Sequence, residues 1–137
     1  MDEATLHTLG ASLERCTADP DFLSLFYEGF LASSPKVREK FVNTDLVKQK
    51  VALQASFSLM LRAARKEGND PPDYLEALAR RHGASQLAVG AELYDLWLDS
   101  LQVAVKACDP AWSAEVASAW EKVMGVGIHY LCSRYNG

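Results

Sequence analysis

Apolar residues recur along this chain with a period near 3.6 from end to end, and no segment alternates with period two for long, so the expected fold is all-α. Proline and glycine supply the breaks. Asp19-Pro20, Ser34-Pro35, Gly68-Asn69-Asp70-Pro71, Gly83 and Asp109-Pro110 divide the periodic run into helices of unequal length. The first is expected over Ala4 to Ala18, with Leu6, Leu9, Leu13 and Cys16 on one face. The second starts near Asp21 and carries Phe22, Leu23, Phe26, Tyr27, Phe30 and Leu31, an aromatic stripe that reads first as core. A short piece from Lys36 to Phe41 follows Pro35, whose missing N–H costs nothing at a first helical position. Val42-Asn43-Thr44-Asp45 then reads as a loop with an N-cap, opening a long helix to about Lys66. Two further long helices are expected, from Ala91 to Cys108 and from about Trp112 to Tyr135.

Between the long helices lies a short one, opened by Pro71-Pro72 and closed by Gly83, in which Leu75, Leu78, Ala79 and His82 fall at i, i+3, i+4 and i+7. The histidine continues the apolar stripe. A buried imidazole is costly unless it is bonded, so His82 is either a core histidine with a hydrogen-bond partner or a metal ligand. On the stripe alone, the core reading comes first. Gln49 poses the same question on the long helix: it shares a stripe with Leu46, Leu53, Phe57 and Met60, and is either solvated at the stripe's edge or donates into a pocket.

With 137 residues the chain is expected to form one domain, 1–137, large enough for a core and a cofactor. A net charge of −4 with no basic stripe argues against nucleic acid and acidic membrane surfaces as partners. No stretch is long and apolar enough to span a bilayer, and Met1-Asp2-Glu3 opens no signal-like run, so a cytoplasmic location is expected. Cys16, Cys108 and Cys132 are too widely spaced for a zinc site and odd in number, which fits reduced thiols. Gly125 and Gly127 follow no strand and lack the third glycine of a dinucleotide fingerprint, so they read as close helix packing.

The order of these landmarks resembles a known family, the bacterial single-domain globins and the haem domain of flavohaemoglobins. The resemblance rests on Phe26-Tyr27, Pro35-x-x-Arg38-x-x-Phe41, Thr44-Asp45-x-x-x-Gln49-x-x-x-Leu53, Arg81-His82 and Ala119-Trp120. It implies a globin fold, helices A, B, C, E, F, G and H around a haem pocket, with D missing. It also implies haem b as cofactor, with His82 as the proximal iron ligand and Phe41 stacking on the porphyrin. By the same resemblance Tyr27 and Gln49 are the distal donors to a bound diatomic gas (oxygen, nitric oxide or carbon monoxide), and Leu53 walls the ligand pocket. Arg81, and less strongly Arg80, would pair with haem propionates, although basic side chains at a helix C-terminus are favoured anyway. Tyr94 stands for the helix-G tyrosine that supports the proximal histidine in flavohaemoglobins. Alignment on Trp120 puts Lys122 where that family has a glutamate, and Glu121 would face elsewhere, which weakens the electronic push on iron and argues against peroxidase-like chemistry. His7 and His129 match no site position.

Three functions follow in order. The first is reversible binding of oxygen or another gas at ferrous iron, for buffering, delivery or, as a haem-based sensor, signalling. The second is a nitric oxide dioxygenase, which would depend on a separate reductase to restore ferrous iron. The third, ranked last, is a haem-free helical interaction module. Association into a homodimer through helices G and H, with Trp112 exposed, would be consistent with the resemblance.

Overall fold

The computed structural model describes residues 2–65 and 91–133, and among them there are six α-helices and no strand. Helix α1 (Glu3–Thr17) starts where the Asp2 carboxylate accepts the Thr5 N–H at 2.7 Å, and it buries Leu6, Leu9, Leu13 and Cys16 as its spacing requires. Helix α2 (Phe22–Ser33) buries Phe22, Phe26, Tyr27 and Phe30. It ends at Ser34, whose extended backbone is what a following proline demands. The same serine then caps α3 (Pro35–Lys40) by accepting the Lys36 N–H, with Pro35 at the first turn. Helix α4 (Leu46–Arg65) is capped by Asp45, whose Oδ1 accepts the Val47 N–H at 3.0 Å. Helices α5 (Ala91–Cys108) and α6 (Ala114–Ser133) are joined by a short turn in which Ser113 Oγ accepts the Val116 N–H. Trp112 falls in that turn rather than in the last helix. Its half-covered ring carries the Lys106 ammonium 4.9 Å from its centroid. The short helix expected to end at His82 lies outside the described residues.

Helix α2 packs most extensively on α5, and α1 on α6, while α4 lies across α1 and α6. Their shared centre is aromatic. Trp120 on α6 is fully buried with Phe57 edge-on at 5.5 Å and Phe22 at 6.5 Å, and Trp97 on α5 reaches both Phe57 and Phe26. Each such ring removes on the order of 150–250 Å² from water, so the stripe read on α2 is the core that sets the helix packing.

Close packing by the second glycine of the Gly125/Gly127 pair is what the structure shows: a Cβ on Gly127 would stand 2.9 Å from the Met60 methyl, so α4 and α6 meet there. Gly29 differs. It is exposed within α2, and a Cβ there meets nothing within 4 Å. Gly29→Ala is therefore expected to stabilise the fold by about 1 kcal/mol, the helix-propensity difference, raising the melting temperature by about 3–5 °C in a thermal scan.

A buried polar network ties the first helix to the α5–α6 turn. Ser12 Oγ accepts the Trp120 indole N–H at 2.9 Å and donates to Asp109 Oδ2 at 2.6 Å. Arg15 completes the set, its Nε donating to Asp109 Oδ1 at 2.6 Å and its terminal nitrogen to Oδ2 at 3.0 Å. Asp109 also accepts the Ala111 N–H at 2.8 Å, so one carboxylate fixes both the turn and the position of α1. No helix among the described residues is long and apolar enough to cross a membrane.

Candidate functional site

Tyr27, Gln49 and Phe41 come from three different elements and meet at one place. Tyr27 points inward from the middle of α2 and is 3% exposed, because Phe26 and Phe30 on either side lock that helix into the core. Burial pushes its phenol up to about 12, and a side-chain hydrogen bond with Gln49 opposes part of that rise. A phenol that stays protonated is a donor, and a side-chain amide can both donate and accept.

Gln49 owes its position to the start of α4. Its backbone N–H bonds the Asp45 carbonyl at 3.0 Å, and the Asp45 cap fixes where the helix begins, so the first inward-facing polar side chain falls opposite α2. Gln49 is half-buried, at the edge of the apolar stripe and near the Tyr27 phenol. Leu53, one turn further and 7% exposed, continues the same face of α4. Phe41 closes α3, its N–H bonded to the Arg38 carbonyl, and its ring stands edge-on to Tyr27 at 6.0 Å and to Phe30 at 5.8 Å. The site is an apolar wall, Phe41 and Leu53, carrying one phenol and one amide, Tyr27 and Gln49.

Tyr94 is buried on α5, where burial raises its phenol and the Cys132 thiol of α6 adds to the rise. Lys122 is exposed and lies by Asp2 at the start of α1, whose carboxyl is lowered by the Thr5 backbone and side chain first and by Lys122 in part. The position aligned with the flavohaemoglobin glutamate is thus solvent-exposed, two residues after the buried Trp120, whereas Tyr94 is buried. His82, Arg80 and Arg81 lie outside the described residues. His7 and His129 are both exposed. Sequence reasoning did not identify Phe26 and Phe30 as the rings that hold Tyr27; their helical spacing around it was the available signal.

The residues on this wall suit a flat apolar cofactor with a small polar ligand beside it. Phe41 and Leu53 offer apolar surface, and the Tyr27 hydroxyl and Gln49 amide offer donors held in a low-dielectric setting. Among the described residues no cluster of three or more His, Cys, Asp or Glu could hold a metal ion.

Comparison with known proteins agrees with this architecture. No curated protein matches the chain. The family model described as Globin matches residues 24–131. A crystal structure of the protein PA3967 from Pseudomonas aeruginosa PAO1, described as structurally highly homologous to a human hemoglobin, superposes with a TM-score of 0.90 at 40% identity. The match covers 96% of this chain and 98% of that one. The family model spans both the helix bearing Tyr27 and the one bearing Trp120, and with it comes the implication of a haem cofactor: the chain belongs to the globin family.

Proposed function

We propose that this globin holds haem b through His82 and binds oxygen or another diatomic gas, with Tyr27 and Gln49 as the distal donors. The observation that carries the reading is the buried Tyr27 phenol, edge-on to Phe41 on a wall continued by Leu53, with the Gln49 amide beside it. When bound, ferrous haem supplies the coordination site for the gas. The protein does the rest. Phe41 lies against the ring, Leu53 keeps water from the ligand, and Arg81 neutralises a propionate. Gln49 orients the Tyr27 phenol by donating to its oxygen, so the phenol proton is directed toward the ligand rather than wandering between partners. The raised phenol stays protonated across the physiological range and remains a donor there.

The test is the rate of oxygen dissociation from the haem-loaded protein, read by stopped-flow absorbance. Tyr27→Phe is expected to speed release about 10- to 100-fold, the equivalent of losing one hydrogen bond worth about 1.4–2.7 kcal/mol. Gln49→Leu should speed it less, since it removes the orienting amide and leaves the phenol. Off-rates unchanged in both variants would overturn the distal assignment.

A second reading, nitric oxide dioxygenase with electrons from a separate reductase, uses the same pocket. One observation favours it: six bases against two acids over residues 36–62, the segment that carries Phe41, Gln49 and Leu53.

A further inference from the structure

The net charge of −4 conceals a separation of sign. Residues 36–62, which form α3, the turn after it and most of α4, carry six bases, Lys36, Arg38, Lys40, Lys48, Lys50 and Arg62, against two acids, Glu39 and Asp45. Residues 2–35 and 91–133 carry twelve acids against Arg15, Lys106 and Lys122. Of the six bases in the first segment, five are exposed and Lys50 is half-exposed. Helices α1, α2, α5 and α6 thus present an acidic body, and the segment bearing Phe41, Gln49 and Leu53 presents a basic face on its outer side.

That face also has an apolar element. Val42, Val47 and Val51 are 76%, 73% and 70% exposed, the first in the turn after α3 and the other two one turn apart on α4. They fall among Lys40, Lys48 and Lys50 in the same stretch of chain. Small exposed valines among lysines, next to the wall of a redox pocket, have the composition of a transient protein contact: apolar contacts set against charges that steer the encounter. A nucleic-acid surface would call for stacking aromatics, and none of the exposed large apolar side chains of this segment is aromatic.

We infer that the outer face of α3, the 41–45 turn and the first half of α4 docks a small acidic one-electron carrier protein, which delivers electrons to the haem. The inference rests on the haem reading above and deepens its second form, in which ferric iron must be reduced. The step transfers one electron from the carrier's reduced flavin or iron–sulfur centre to ferric haem iron; the carrier centre is oxidised by one electron, iron becomes ferrous, and no bond is made or broken. The acidic body turns the globin's basic face toward an acidic partner during approach, an effect that raises association rates by about 10- to 1000-fold at low salt.

The experiment uses the haem-loaded protein and a bacterial flavodoxin as the acidic carrier. Two quantities are read: the second-order rate constant for ferric haem reduction by reduced flavodoxin, and amide shift changes in the isotope-labelled globin on adding oxidised flavodoxin. Raising ionic strength from about 0.01 M to about 0.15 M shortens the screening length from about 30 Å to about 8 Å, and is expected to lower the rate constant about 10-fold. Lys48→Glu should lower it about 5-fold at low salt with the Soret band unchanged, and the difference should shrink at the higher salt. Val51→Ser should weaken binding a few-fold without changing the salt slope. Shift changes should map to residues 36–51. Reduction rates insensitive to both salt and Lys48→Glu, or shifts that map to α5 and α6, would overturn the proposal. So would binding to phosphatidylglycerol vesicles through this face with none to flavodoxin. If no Soret band forms at all, the haem reading fails, and the shift map still decides whether this face docks an acidic protein.

Discussion

Replacing His82 with alanine is expected to leave the chain without stably held haem after reconstitution, while its far-UV circular dichroism stays helical. On the proposed reading the other haem contacts would be apolar or peripheral: Phe41 and Leu53 offer hydrocarbon, Tyr27 and Gln49 would offer donors to a ligand, and none of the four offers iron a good nitrogen or sulfur base. On that reading the His82 imidazole would hold the iron, and a partner on its second nitrogen would orient the imidazole. A sharper version uses His82→Gly with imidazole added to the solvent. Free imidazole entering the vacated space should restore a Soret band close to that of the parent protein. A parent-like spectrum in His82→Ala would remove the histidine from the iron and return it to the core reading that its helical stripe allows.

How much of this was legible in the sequence depended on whether the deciding interaction was local. The start of α4 followed from capping chemistry a few residues long, and the structure places the cap at Asp45 in the 42–45 loop; the caps at Asp2 and Ser34 come from the structure. The inward face of α2 followed from 3.6-residue spacing. Gln49 could be placed on an apolar stripe, but whether it met solvent or a partner turned on the approach of α4 to α2, which no local pattern encodes. The outward turn of Lys122 is a similar case: an alignment anchored on Trp120 carried position but not facing. The charge separation was present in the order of residues throughout, and a total over the whole chain erased it. The sign of the outer surface of α3 and α4 depends on the fold for its meaning, since it is the fold that puts Phe41, Gln49 and Leu53 on the other side of the same segment.

Asp109 shows the gap between a local and a long-range reading most directly. In the sequence, Asp109-Pro110 is a helix stop; in the structure its carboxylate holds Arg15 and Ser12 from a helix more than ninety residues away in the chain. Asp109→Ala is expected to destabilise the protein by about 3 kcal/mol in urea unfolding, toward the low end for breaking a buried ion pair because the Arg15 side chain keeps 32% of its surface in water. Ser12→Ala tests the network from another side by stranding the buried Trp120 N–H, at a cost of about 1–3 kcal/mol. The pH dependence separates charge from shape. Burial pushes the Asp109 carboxyl up, but Arg15, Ser12 and the Ala111 N–H together outweigh it and hold the carboxyl below its ordinary value. A depressed folded-state value means that this stabilisation is complete above the unfolded carboxylate range, about pH 4, and is lost as pH falls through the lower folded value. Asp109→Asn, which keeps the side-chain outline but cannot titrate, should therefore lose less stability between neutral pH and the acid transition than the parent does. If parent and Asp109→Asn curves run parallel through that window, the carboxylate is not the group whose charge joins α1 to the α5–α6 turn.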